Sequence, residues 1–287
     1  MLLRGLALAV ALGSAVVTGP VAPAAAQTTQ AKGEVSVPAL AGALQLDALF
    51  AVLREEGLAF GETLETDMFP AGGGQHWRNA VSDIYDIPRL RSAFDAVLEA
   101  ELAQDPEVLG EILAFFRSDL GQRIVALEIE ARRAFLDTAT EEAARVTAED
   151  RFAERDPLVD LLRDFIAAGD LVEQNVAGAL SGNLAFQTGL SETGVFGDAV
   201  PQDQLMAEIW AQEDQIRDDT TTWLYAYLGL AYSPLSEAEM QAYVDFMASP
   251  AGGRLNAALF LAFHEVFRQV SHEMGRAAGI AIQGRDI

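Results

Sequence analysis

Apolar residues recur at intervals of three and four along almost the whole chain from Ala43 onward, and this spacing limits what the chain can fold into. Leu46, Leu49, Phe50 and Leu53, for example, fall on one face of a helix. No segment shows the convincing alternation of apolar and polar residues that indicates a half-buried strand. We therefore expect an all-α fold.

Capping residues indicate where several of these helices begin. Asp105-Pro106 and Asp156-Pro157 each place an N-cap aspartate before a proline at the first helical position. The segment Ser236–Glu239 has the serine and glutamate of a capping box. We expect a helix over 158–176, whereas the glycine-containing segment 181–198 is expected to be a loop.

The first 26 residues have the pattern of a secretory signal peptide. Arg4 precedes the uncharged apolar run Gly5–Val17, and Ala24-Ala25-Ala26 supplies the small residues of a cleavage site. The apolar run is shorter than the ~20 residues that a membrane-spanning helix needs. We expect cleavage after Ala26, a flexible leader over 27–42, and a periplasmic or secreted protein with no transmembrane segment after cleavage.

The composition excludes several kinds of partner and chemistry. Cysteine is absent, which excludes disulfides, thiolate nucleophiles and cysteine metal sites. Acids outnumber bases by 43 to 19, and the formal net charge is −24. Proteins bind nucleic acids by neutralising phosphates with Lys and Arg, so no nucleic acid partner is expected. We interpret the acidity first as a source of solubility and second as a preference for a cationic partner.

A short unit occurs twice in the chain, because the segment 114–124 aligns with the segment 245–255. The identical pairs are Phe115 and Phe246, Ser118 and Ser249, Gly121 and Gly252, and Arg123 and Arg254. We expect both phenylalanines to be buried at equivalent positions. The repeat predicts two related multi-helix halves, 43–152 and 156–287, with antiparallel helix packing.

The second copy resembles a known family. Its pattern is an aromatic helix, a Ser-Pro-x-Gly turn and a long amphipathic helix, carried here by Tyr243, Phe246, Ser249, Pro250 and Gly252. The unit is similar to bacterial exported proteins that carry the domain of unknown function numbered 2059, over about 224–275. The first copy departs from the pattern, since Asp119 stands in place of the proline. The resemblance implies an all-helical exported domain and supplies no catalytic residue.

The repeated unit also contains the candidate binding residues. A serine-capped helix start offers free N–H groups and a partial positive charge, glycine permits close approach, and arginine adds a full charge. Such a site could bind a phosphate or a carboxylate. The alternative, which we favour, is ordinary capping, close helix packing and arginines paired with surplus acids. The candidate anion-site residues are Ser118, Gly121, Arg123, Ser249, Gly252 and Arg254.

The helix that follows Ser118 has a charged side. It carries Glu128, Arg132 and Arg133. We interpret this side as solvent-exposed, with charged pairs at the i,i+4 spacing.

The three histidines do not form a recognisable metal site. Arg268 stands where the zinc-protease helix motif would need a second histidine after His264. His272 lies farther along the same helix, about 80° around it, and so does not share an ion well with His264. We expect both histidines to face solvent, and we expect no metal and no cofactor.

Three functional hypotheses follow, because no complete catalytic motif is present. The leading one is a non-enzymatic periplasmic protein that binds an unidentified partner protein or envelope component through a helical surface. The alternative is a periplasmic small-ligand carrier, with an apolar pocket lined by Phe260, Phe263 and Phe267. An enzyme of unfamiliar type is the third. A cavity would favour the carrier, and a large exposed apolar patch would favour the partner.

Overall fold

The computed structural model describes residues 34–69, 73–195 and 201–284. In this part of the chain every regular element is a helix, which confirms the all-α fold class. The expected signal peptide, 1–26, lies outside the described residues. The helices are α1 (Val37–Ala43), α2 (Leu46–Met68), α3 (Gly74–Ile84), α4 (Ile87–Leu102), α5 (Pro106–Phe116), α6 (Asp119–Ala134), α7 (Thr138–Glu154), α8 (Pro157–Ala168), α9 (Leu171–Glu192), α10 (Gln202–Trp210), α11 (Glu213–Tyr232), α12 (Glu237–Met247) and α13 (Pro250–Ile282).

The helix starts that were predicted from capping residues are present. The Asp105 side chain accepts a hydrogen bond from the Val108 N–H at 3.1 Å, and Asp156 accepts one from the Leu158 N–H at 2.9 Å. The segment Ser236–Glu239 forms the reciprocal capping box. Side-chain caps satisfy N–H groups that the helix itself leaves without partners, which is why these starts can be predicted locally.

Helix α1 lies inside the segment that was expected to be a flexible leader. Ser36 caps it by accepting a hydrogen bond from the Ala39 N–H. Val37 and Leu40 are buried in the main core. The described part of the leader is therefore packed, because its few apolar residues reach the core.

The helix predicted over 158–176 is interrupted. It ends as α8 before Gly169, and α9 starts after Asp170, whose φ of 50° is left-handed. Aspartate tolerates this conformation better than most residues do. The apolar spacing continues across the break, so the periodicity did not reveal it.

The loop predicted over 181–198 is wrong for 181–192, because α9 continues to Glu192, while Gly194 lies in the turn that follows and 196–198 lie outside the described residues. Gly189, inside the helix, serves close helix packing. A Cβ added at Gly189 would overlap the carbonyl oxygen of His272, and a Cβ added at Gly275 would overlap the carbonyl oxygen of Phe186. The backbones of α9 and α13 therefore touch directly.

The main apolar core contains residues from both predicted halves. The rings of Phe50 and Phe94 lie 5.3 Å apart between centroids, and Phe263 lies 4.5 Å from Phe94. Helix α13, 33 residues long, packs against α3, α4, α5, α9 and α12. A smaller apolar cluster lies between α9, α10 and α11 and contains Val176, Ala179, Leu180, Ile209 and Ile216.

The two copies of the repeated unit have the same local geometry. Ser118 lies between α5 and α6 as the N-cap of α6, and its Oγ accepts a hydrogen bond from the Gly121 N–H at 3.0 Å. Ser249 lies between α12 and α13, and its Oγ accepts one from the Gly252 N–H at 3.1 Å. The equivalence is local, and the relation between the two complete halves stays a prediction.

The repeated phenylalanines stack on each other. The ring centroids of Phe115 and Phe246 are 4.0 Å apart, with an angle of 11° between the planes. Both side chains are half-buried. The prediction that they occupy equivalent positions is confirmed, and the prediction of full burial is wrong because the stacked pair lies at the edge of the core.

No single helix in the described ranges is long and apolar enough to cross a membrane. Helices α1 and α2 meet the length and composition conditions only as a pair, and they are bent by 64°. Leu40, Leu46 and Phe50 of this pair are buried in the main core.

Two adjacent glycines at the start of α13 provide a matched test of the packing. A Cβ at Gly252 would overlap the carbonyl oxygen of Phe246, whereas a Cβ at Gly253 would meet nothing within 4 Å. We expect Gly252→Ala to lower the free energy of unfolding by about 2 kcal/mol. Gly253→Ala should leave it unchanged or raise it by up to about 1 kcal/mol, as expected for an exposed helical glycine.

Urea denaturation of both variants and of Ser249→Ala would check this. The lost cap of Ser249→Ala should cost about 1 kcal/mol. Equal stabilities of Gly252→Ala and Gly253→Ala would show that the backbone contact at Gly252 is not needed.

Candidate functional site

Two charged side chains that were expected to face solvent are buried in the middle of the molecule. Glu128 is 1% exposed and Arg132 is 4% exposed, whereas Arg133 is exposed as expected. The expectation was wrong because α6 packs against α2 on one side and α11 on the other. These neighbours supply polar groups that charge spacing within α6 does not reveal.

Three tyrosines surround Glu128. The Tyr232 hydroxyl donates to the Glu128 carboxylate, and the Tyr227 hydroxyl donates to the Glu128 backbone carbonyl at 2.7 Å. Tyr243 packs beside Tyr232, with ring centroids 5.8 Å apart. Burial, followed by the nearby Glu128 carboxylate, raises the pKa of all three phenols, so they remain protonated donors. We call Glu128 and these residues the tyrosine cluster.

Arg132 connects this interior to a carboxylate nearer the surface. Its Nε donates to Glu56 Oε1 at 2.7 Å, and its Nη2 donates to Glu56 Oε2 at 2.8 Å. Burial alone would lower the pKa of Arg132, but the charge and hydrogen bonds of Glu56 outweigh it and the pKa is raised. The planar guanidinium matches the carboxylate with two parallel bonds, which fixes the Glu56 side chain on α2.

Glu56 lies in the wall of a cleft between α2, α9 and α13, which we call the Glu56 cleft. Its volume is ≈ 40 Å³, room for about three water-sized groups. Most of the wall is apolar. The lining residues are Leu53, Glu56, Gly57, Phe60, Tyr85, Gly182, Asn183, Phe186, Phe267, Val270, Ser271 and Met274.

Two hydroxyl groups on largely buried residues open into the cleft without a protein partner. Tyr85 and Ser271 are each 7% exposed, and neither side chain hydrogen-bonds to any residue that the structure describes. The same holds for the half-buried Asn183 side chain in the described ranges. Burial, then the charge of Glu56, raises the pKa of Tyr85, which remains a protonated phenol. Both hydroxyl oxygens remain accessible at the cleft, where a ligand can hydrogen-bond to them.

A second, smaller cavity adjoins the tyrosine cluster. Its volume is ≈ 30 Å³, and Glu128, Tyr243 and Asn256 are its polar lining residues. The Asn256 side chain donates to the Gly169 carbonyl at 2.8 Å. A space of this size holds about two water-sized groups.

A wider groove lies where the bend between α1 and α2 faces α4. Its volume is ≈ 490 Å³. The buried side chains of Val37 and Leu46 form part of its floor. The charged lining residues are Asp47, Arg91, Asp95 and Glu99.

The arginines of the candidate anion site are bound to carboxylates that lie outside the two copies. Arg123 pairs with Glu239 and donates to the Pro234 carbonyl at 2.6 Å. Arg254 pairs with Glu101 at 3.1 Å and donates to the Glu101 carbonyl at 2.6 Å. These contacts agree with the alternative of capping and arginine pairing, and anion binding at this unit stays a prediction.

His264 faces α9 and is half-buried, with its Nε2 3.1 Å from the Gln174 carbonyl, so the expectation that it faces solvent is wrong. His272 Nε2 lies 3.1 Å from Glu192 Oε1 in an exposed contact, which agrees with the expectation for this residue. In the described ranges no three His, Asp or Glu side chains are grouped as metal ligands.

Of the three phenylalanines that were suggested for a pocket, Phe267 lines the Glu56 cleft. Phe260 and Phe263 belong to the main core, and Phe260 also touches the smaller cavity. No sequence pattern pointed to the polar residues of the cleft, which are Glu56, Tyr85, Asn183 and Ser271.

The family model described as an uncharacterized protein conserved in bacteria (DUF2059) matches residues 88–150. The match runs from α4 into α7 and contains the first copy of the repeated unit, together with Glu128 and Arg132. The resemblance stated for 224–275 is not shown by this comparison. No curated protein and no solved structure matches the chain.

Tyr232→Phe tests the tyrosine cluster, because it removes one hydroxyl and leaves the ring. The buried Glu128 carboxylate loses a donor, and we expect the free energy of unfolding to fall by about 2 kcal/mol. Tyr225→Phe is the control, since its hydroxyl is near the exposed Arg163. Chemical denaturation of both variants gives the measurement, and equal stabilities would contradict the importance of this bond.

Proposed function

We propose that this protein is a non-enzymatic carrier of a small ligand, and that the Glu56 cleft is its binding site. The observation that carries the proposal is a pair of hydroxyls, on Tyr85 and Ser271, which open into the cleft and have no partner among the described residues. Small-molecule sites combine a mainly apolar wall with a few polar groups that fix orientation. The cleft has this composition.

The walls indicate the form of the ligand. Phe60, Phe186, Phe267 and Met274 offer apolar contact, and the polar groups stand among them. The volume of ≈ 40 Å³ suits a ligand of a few atoms, or one end of a longer ligand whose remainder extends through the opening. A ligand that hydrogen-bonds to both hydroxyls would be held in one orientation in the cleft.

A carrier is favoured over an enzyme because Glu56 is already engaged. Both of its oxygens accept hydrogen bonds from Arg132, which stabilises the ionised carboxylate as a fixed binding group. We place this carrier in the periplasm or outside the cell, on the basis of the signal-peptide pattern that ends at Ala26.

Titration with 2-phenylethanol, a small molecule with an apolar ring and one hydroxyl, tests the cleft. We expect amide NMR shifts to change at Gly57, Gly182 and Ser271. Tyr85→Phe removes only a hydroxyl and should weaken binding several-fold, whereas Tyr225→Phe, outside the cleft, should not.

Ser271→Leu, which fills the cleft, should abolish the shift changes if the variant keeps its melting temperature. Shift changes that leave these three residues unaffected, or unchanged affinity in Tyr85→Phe, would contradict the proposal.

A second candidate function is the one favoured by the sequence, the binding of a partner protein or envelope component. The specific observation is the groove between the α1–α2 bend and α4, with its apolar floor. Its lining has three acids, Asp47, Asp95 and Glu99, against Arg91 alone. Charge complementarity favours a cationic peptide segment with an apolar face as the occupant.

A synthetic peptide of alternating Lys and Leu pairs tests this groove, with a peptide that has Glu in place of Lys as its control. We expect the cationic peptide to bind and Glu99→Lys to weaken that binding. Asp160→Lys, an exposed site on α8, should not change it. Equal weakening by both variants would show that the peptide binds the acidic surface in general.

A further inference from the structure

We infer that the ligand of the Glu56 cleft is an organic cation, a small amine whose ammonium group binds Glu56 and whose apolar part passes the phenylalanines of the wall and extends through the opening. This inference rests on the proposed function of the cleft. It goes further by assigning the charge and the donor character of the ligand.

The hydrogen-bonding capacity of Glu56 supports an ammonium group. The side chain is 24% exposed, and each oxygen accepts one bond from Arg132. A carboxylate has about four acceptor positions, so about two remain for a ligand. An ammonium group has three donors and no acceptor, and it can use the remaining positions on Glu56.

The other polar groups of the cleft can complete the coordination. The oxygens of Tyr85, Asn183 and Ser271 are all able to accept a hydrogen bond, and all three side chains lack a partner among the described residues. An ammonium group therefore has acceptors available beyond Glu56.

The charge around the cleft also favours a cation. Arg132 compensates the charge of Glu56, so the remaining field at the cleft comes from the chain as a whole. The whole chain carries a formal net charge of −24. A negative field concentrates cations near the surface and repels anions, so an anionic ligand of the same shape is disfavoured.

The aromatic side chains of the wall accommodate the rest of such a ligand. Phe60, Phe186 and Phe267 line the cleft together with Met274. Aromatic ring faces attract ammonium groups, and the same rings bury the carbon atoms of the ligand. One class of molecule, an amine with a short apolar tail, thus matches both parts of the lining.

The test uses three probes of the same shape and different charge: 2-phenylethylamine, 2-phenylethanol and phenylacetate. Calorimetric titration of the full chain at neutral pH should give an affinity about tenfold higher for the amine than for the alcohol, with phenylacetate weakest. Only the affinity of the amine should fall when salt is added.

Glu56→Gln should remove the preference for the amine and leave the affinity for the alcohol nearly unchanged. Glu62→Gln is the matched control, because Glu62 is exposed on the same helix. Melting curves establish whether Glu56→Gln is folded. If it is not folded, the test uses the parent protein, on which added salt should lower the affinity of the amine and leave that of the alcohol unchanged. Tyr85→Phe should weaken the binding of both probes.

The outcomes separate the two proposals. If none of the three probes binds in the cleft, the carrier proposal fails and the cation proposal fails with it. If the alcohol binds as tightly as the amine, the carrier proposal stands and the cation proposal is overturned. If the amine binds the folded Glu56→Gln variant as tightly as the parent, it binds elsewhere on the acidic surface, and the cation proposal is again overturned.

Discussion

The buried guanidinium of Arg132 imposes the strongest constraint on the interior of this protein. A charge taken out of water is destabilising by several kcal/mol unless it is paired with good geometry, and Glu56 provides that pairing with two short bonds. The pair holds α6 against α2. One turn earlier on α6, Glu128 holds the tyrosines of α11 and α12, so a polar layer crosses a core that is otherwise apolar.

The direct backbone contact between α9 and α13 determines the opposite wall of the Glu56 cleft. Gly189 and Gly275 have no side chain at the crossing, and either would clash with the other helix if it had a Cβ. Asn183 on α9 and Ser271 on α13 lie within one or two turns of this crossing and face the cleft. The helices that bring the polar groups together are therefore positioned by glycines that touch no ligand.

The parts of the fold that could be predicted from the sequence are those that local chemistry decides. The caps at Asp105, Asp156 and Ser236 depend on residues within four positions of each other, and all three are present. The burial of Glu128 and Arg132 depends on helices α2 and α11, which are distant in the chain, so their spacing was interpreted as a solvent-exposed face.

The cleft was missed for the same reason. Its polar residues come from α2, from the residue after α3, from α9 and from α13, and no local motif joins them. Of the phenylalanines suggested for an aromatic pocket, Phe267 lines the cleft, Phe260 touches the smaller cavity and Phe263 fills the main core. An apolar helix face has the same spacing whether it lines a cleft or fills a core.

The repeated unit has a structural role that accounts for each of its residues. The serines cap helices, the glycines admit the carbonyl of the preceding helix, and the phenylalanines stack on each other across the two copies. Arg123 binds Glu239 and the Pro234 carbonyl, and Arg254 binds both the carboxylate and the carbonyl of Glu101. Each arginine is thus paired with an acid outside its own unit, and the arrangement needs no bound anion to explain the two arginines.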